Sequence, residues 1–113
     1  MRPEVQKYLR DIQVAADRID RFTVGRSFEG YLDDEMLRSA VERQFGIIGE
    51  ALSRLSKEDP EVASRIPQFA QIIAFRNILV HGYASVDDRM VWGVIEVHLA
   101  PLIRAVDDLS SER

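Results

Sequence analysis

The chain reads as an all-α protein, an up-down bundle of four main helices with one or two short helical turns. Three observations predict this. Apolar residues recur every three or four positions through four long stretches, the period of a helix buried along one side. No stretch shows the convincing apolar–polar alternation of a half-buried strand. Glycine, proline and aspartate punctuate the gaps, where helices stop and start. With 113 residues, the chain is expected to form one helical domain over residues 1–113.

The first helix is expected from about Pro3 to Phe22. Pro3 suits a first helical turn, and Val5, Tyr8, Leu9, Ile12, Ala15, Ala16, Ile19 and Phe22 form one apolar stripe. Gly25 and Gly30 bracket a connector with room for a short turn. Asp33 or Asp34 then caps a second long helix running to about Leu55. Its stripe is Leu37, Val41, Phe45, Ile48, Leu52 and Leu55, and Met36, Ala40, Ile47 and Ala51 run beside it. Together they make an apolar face roughly 180° wide, which calls for neighbours on two sides, one of them conceivably a second protomer. Lys57 to Pro67 reads as a connector with one helical turn after Pro60. Pro67 is expected to open a third long helix ending near His81, with Gly82 placed to terminate it. A last helix, capped by Ser85 or Asp87, runs from about Val86 to Leu109, and Pro101 should kink it.

Composition narrows the function. Apolar residues at 46% and charged residues at 30% are ordinary for a folded domain. The absence of cysteine excludes disulfides, thiolate zinc sites and a cysteine nucleophile. No apolar run approaches the roughly 20 residues that span a bilayer. The N-terminal MRPEVQKYLRD has no apolar signal core, so a cytoplasmic protein is expected. Lys and Arg number 15 against 19 Asp and Glu, a net charge of −4. That balance argues against a broad nucleic-acid-binding surface. Lys7 and Lys57 are the only lysines, so nearly every cation has the planar fork that suits phosphate or carboxylate.

The third long helix carries the chemistry. In PQFAQIIAFRNILVHGY, apolar side chains occupy nearly every direction round the axis, which predicts a central helix. Its C-terminal half nevertheless holds Arg76, Asn77 and His81. Burying such groups is costly unless they are paired or serve a site. Asn77 and His81, four apart, share a face, whereas Arg76 and His81 stand about 140° apart. One straight helix does not aim both at a small ligand, but two copies across a two-fold axis combine them in one cleft.

Arg76-Asn77-Ile78-Leu79-Val80-His81-Gly82-Tyr83 resembles the R-N-x-x-x-H-x-Y motif of the HEPN superfamily. More narrowly, the chain looks like the HepT ribonuclease toxins of HEPN/minimal-nucleotidyltransferase pairs. The likeness extends to SAVERQFGIIGEAL before the motif and VWGVIEVHLAPLI after it. It implies a homodimeric, metal-independent endoribonuclease without a cofactor, the toxin of a type VII toxin–antitoxin system. Its catalytic residues would be Arg76, Asn77 and His81. His81 carries an imidazole, a side chain suited to general base or acid work at a ribose 2′-OH. Arg76 suits the scissile phosphate, and Asn77 would orient the imidazole or the phosphate. The likeness also implies that a cognate nucleotidyltransferase antitoxin attaches AMP to Tyr83, beside Gly82, blocking RNA.

Each residue also has a plainer reading. His81 near a helix C-terminus is a favourable dipole partner. Arg76 would pair with Glu42 or Glu50, and Asn77 would be a hydrogen-bonding residue. Arg43 and Glu50 read as an ion-pair edge, Trp92 as core, and His98 as structural or surface, with no metal role. The alternative function is a non-catalytic nucleotide-binding or interaction subunit of a nucleotidyltransferase complex.

Overall fold

The computed structural model describes residues 1–82 and 86–112. It is all-α: α1 Pro3–Thr23, α2 Phe28–Asp33, α3 Glu35–Glu58, α4 Pro60–Ser64, α5 Phe69–His81 and α6 Asp88–Ser111. Four of these start on a side chain that accepts a backbone N–H. Ser27 caps α2 at Gly30, Asp34 caps α3 at Leu37, Asp59 caps α4 at Val62, and Asp87 caps α6 at Arg89 and Met90. Each satisfies an amide that the first turn leaves without a partner. Pro3 and Pro60 open α1 and α4, where a missing N–H costs nothing.

Across the bundle the order is α6, α1, α3, α5, with α4 against α3 and α2 bridging α3 and α6. The predicted stripe of α3 is buried in full, with Val41, Ile48, Leu52 and Leu55 at 0% exposure. The second stripe divides. Ala51 is buried, Ala40 and Ile47 are half-buried, and Met36, in the first turn of α3, is 82% exposed. The two neighbours that the wide face calls for, α1 and α5, come from the same chain.

The expectation that the third long helix is central is corrected. Only Ile72, Phe75 and Leu79 of α5 are buried, whereas Ala70, Ala74, Ile78 and Val80 are exposed. The smallest dimension of the molecule is 19 Å, about two helices thick, so among the described residues no further layer covers α5. Its main support is α3, where the Phe45 and Phe75 rings meet edge-on at 5.2 Å. α5 also starts two residues later than expected. Pro67 lies outside it, and Gln68 stands before Phe69 in the left-handed region (φ 57°) with no side-chain cap. Gly82 ends the helix, but with φ −108° it does not use glycine's left-handed freedom. α6 runs uninterrupted through Pro101, the expected kink site. The lost bond would have gone to Val97, a residue 63% exposed, whose carbonyl can turn to water. Among the described residues, no helix is long and apolar enough to cross a membrane.

Where α2, α3 and α6 meet, Tyr31 is fully buried and Trp92, only half-buried, packs on it at 5.3 Å. Burial and the nearby carboxylates of Glu42 and Asp88 push the Tyr31 phenol up. Burial, then Asp88, likewise raises the Glu42 carboxyl above its ordinary value, with Arg38 opposing.

Two outcomes follow for stability. Leu52→Ala removes a fully buried side chain of α3 and should cost about 2–5 kcal/mol, read by urea unfolding. A carboxyl whose folded pKa is raised favours the fold while protonated, and that contribution fades as pH climbs through the raised value. Glu42→Gln should therefore raise the melting temperature at pH 7, and the gain should disappear below the ordinary carboxylate range. An unchanged melting temperature at pH 7 would count against the strain assigned to Glu42.

Candidate active site

Arg76 lies five residues before the end of α5, on the edge of the helix that faces α3. Its position depends on Gly49, a buried glycine in the middle of α3. A Cβ on Gly49 would overlap the Cβ and Cγ of Arg76, so the two helices approach closely only because that atom is missing. The arginine stem crosses the notch and its guanidinium reaches Glu50. Arg76 Nη2 donates to Glu50 Oε2 at 2.9 Å, and Arg54 Nε donates to Glu50 Oε1 at 2.9 Å. One carboxylate thus holds two guanidinium groups. The hydrogen bond from Arg54, then the charge of Arg76, keeps the Glu50 carboxyl below its usual range.

Arg76 Nη1 also donates to Asn77 Oδ1 at 3.0 Å. Two of the five donors of the guanidinium are thereby used, and Nε is buried without a partner. Its side chain is 25% exposed, enough to present the remaining donors to a ligand. The structure therefore joins Arg76 to Asn77 and to Glu50, one of the two partners anticipated for it. Glu50 is an ion-pair edge as expected, paired with Arg54 four residues on, as helical spacing provides, and also with Arg76 of α5. His81 is not brought to Arg76. It is exposed on the outer face of α5 with Asn77, Ala70 and Ala74, as the helical spacing requires. Tyr83 lies outside the described residues, as does Ser85; Asp87 is the cap seen on α6. His98 is half-buried and lines an apolar groove of about 250 Å³ between α5 and α6, with Phe75, Ile78 and Met90. Among the described residues, no group of three or more His, Asp or Glu is arranged to hold a metal ion.

On its other flank Arg76 borders a cleft of about 850 Å³ walled by α1, α3 and α5. Lys7, Tyr8, Arg43, Arg54 and Val80 contribute to its lining. Tyr8, placed in the core stripe by the sequence, does pack against the core and lines the cleft as well, whereas sequence reasoning missed Gly49. A signal for Gly49 was present, since a glycine inside a long helix costs about 1 kcal/mol relative to alanine and asks for a packing reason.

A family model described as "Ribonuclease HepT-like" matches residues 12–109. A protein of Caldanaerobacter subterraneus subsp. tengcongensis named a "Putative RNase" is 32% identical over 108 residues, covering 96% of this chain and 92% of its own. One of Methanocaldococcus jannaschii, also named a "Putative RNase", is 27% identical over 92% of this chain and 94% of its own. The "Probable ribonuclease HepT" of Thermococcus cleftensis is 31% identical over 90% of this chain and 92% of its own. No solved structure gives a significant match.

The two glycines of the GIIG segment should respond oppositely to alanine. Gly49→Ala forces the helices apart and should lose about 1–3 kcal/mol. At Gly46, where a Cβ meets nothing within 4 Å, alanine should add up to about 1 kcal/mol. Denaturant midpoints of the two variants decide it, and equal signs would dismiss the notch.

Proposed function

The chain belongs to the HepT-like ribonuclease family, and from that premise we propose that it is the toxin of a type VII toxin–antitoxin system. In this reading it is a homodimeric endoribonuclease that needs no metal. The observation that carries it is the display of Asn77 and His81, exposed side by side on a helix whose other residues, Gln71 and Arg76 apart, are apolar. A polar pair kept for packing would be turned inward and satisfied.

Several features support a dimer. The outer face of α5, with Ala70 and Ala74 beside the polar pair and Ile78 at its margin, is exposed among the described residues. The small side chains allow a second α5 to approach closely. A two-fold axis there turns one surface into an isologous interface and supplies a second Arg76 and a second His81 to the same cleft. In the single chain the two groups point apart, which is the geometric reason for assigning the site to two copies.

In the proposed reaction His81 removes the proton from a ribose 2′-OH, and that oxygen attacks the adjacent phosphorus. The bond from phosphorus to the 5′-oxygen breaks, a proton returns to that oxygen, and a 2′,3′-cyclic phosphate remains. Arg76 binds the non-bridging oxygens as charge develops on them, through donors left over from Glu50 and Asn77. Asn77, bonded to Arg76, orients the guanidinium. A cognate nucleotidyltransferase antitoxin then silences the site by transferring AMP from ATP to the Tyr83 oxygen with release of pyrophosphate. The added phosphodiester brings negative charge where RNA must enter.

The pairing of Arg76 with Glu50 supports a second reading, a non-catalytic nucleotide-binding or interaction subunit in which the motif is structural. His81→Ala separates the two. Being exposed, the residue can be removed with little effect on folding, and RNA cleavage should fall by at least two orders of magnitude while circular dichroism and sedimentation stay unchanged. Cleavage at the parent rate would reject the catalytic role. Co-expression with a neighbouring nucleotidyltransferase should add mass in AMP units at Tyr83, and modification confined to another residue would reject that assignment.

A further inference from the structure

The cleft beside Arg76 is larger than one phosphate needs. Its lining extends along α3 from Ser39 to Arg54, and a second recess of about 460 Å³ shares Tyr8, Glu50, Arg54 and Arg76 with it and continues to Lys57. From Ser39 to Lys57, α3 advances about 27 Å at 1.5 Å per residue. Arg76 stands part-way along one wall, so the trough leads away from it in both directions.

The chemistry of the walls differs from that of the protein as a whole. In a chain of net charge −4, the larger cleft is lined by four cations, Lys7, Arg43, Arg54 and Arg76, against the carboxylates of Asp11, Glu42 and Glu50. Tyr8, half-buried, lies among these cations. Lys7 Nζ sits 5.9 Å from its ring centroid, and Arg54 lines the same recess as the tyrosine. An aromatic face flanked by mobile cations is how proteins hold a single strand. The base stacks on the ring and the cations take the phosphates on either side, without regard to sequence. A duplex keeps its bases stacked inside and offers nothing to such a ring. The buried Nε of Arg76, without a partner, lies in the wall of the same trough.

We propose that the trough along α3 is a single-stranded RNA subsite in which Tyr8 stacks a base next to the cleaved linkage and Arg43 holds a flanking phosphate. This rests on the ribonuclease reading and names its substrate class: unpaired RNA, of which the trough takes no more than about eight nucleotides at ~3.4 Å per stacked nucleotide.

The test uses the full chain carrying His81→Ala, so that RNA stays intact, and a fluorescein-labelled unpaired RNA octamer followed by anisotropy. Adding Tyr8→Ala should weaken binding about five-fold or more, Tyr8→Phe should keep it, and Arg43→Ala should lower the slope of log affinity against log salt by about one. Tyr8→Leu retains apolar bulk without a π-face and should bind as poorly as alanine, which guards against loss of fold. Tyr8→Leu or Tyr8→Ala binding within two-fold of the parent, or an RNA duplex bound more tightly than the octamer, would overturn the subsite. The two proposals fail separately. Should the His81-bearing chain leave RNA uncut while the Tyr8 variants still lose affinity, the ribonuclease reading falls and the subsite stands. Should RNA be cut equally well with Tyr8→Leu, and the octamer bound equally well, the subsite falls and the ribonuclease reading stands.

Discussion

The arrangement depends on one close approach, the contact of α5 with α3 where Gly49 lacks a side chain and the stem of Arg76 takes the space. Most helices are oriented about their own axis by an apolar stripe. α5 has none, since apolar side chains surround it, and rotating it would cost little in buried area. The notch supplies what hydrophobicity leaves open. Once the Arg76 stem lies across Gly49 and its guanidinium bonds Glu50, Ile72, Phe75 and Leu79 face inward. Asn77 and His81 then face outward. Arg54 binds the other oxygen of Glu50, so that carboxylate is held from two sides.

This explains which parts of the structure were legible in the sequence. α1 and α3 were readable in detail because each has a clear stripe and the structure buries it: Val5, Leu9, Ile12 and Ile19 in α1, and Val41 through Leu55 in α3. The caps at Asp34 and Asp87 were readable because a short acceptor before an apolar run has a local physical meaning. The placement of α5 was not, since a helix apolar all round states only that it will be covered and not by what. The candidate residues Arg76, Asn77 and His81 stood out as polar groups in an apolar helix, and Glu50 was one of two acids within reach of Arg76. Gly49 escaped notice, and so did the place of Tyr8 in the cleft, because each residue fits a blander role, one as a helix glycine and the other as a stripe member.

Charge also reads differently in three dimensions. A net charge of −4 makes broad attraction to nucleic acid weak, and outside the trough several carboxylates pair with arginines, as with Asp17 beside Arg21 and Glu112 beside Arg65. Such exposed pairs contribute little to stability, but they neutralise cations that would otherwise gather phosphate over the whole surface. The trough is where cations outnumber acids. In the proposed subsite, affinity confined to the trough would favour a strand positioned along α3 over one lying elsewhere on the protein.

The unusual start of α5 has a consequence of its own. The helix has 13 residues and no side-chain cap, and Gln68 enters it from the left-handed region. A helix of that length is marginal when alone, so it holds its shape mainly while docked on α3. Its outer face then acts as a thermodynamic lever. Whatever settles over Ala70, Ala74 and Asn77 also suppresses fraying of the turns beneath, by mass action on the closed form. In the proposed dimer, dilution to a single chain would loosen α5 before it loosened the core, so association and the order of Asn77 and His81 would rise and fall together.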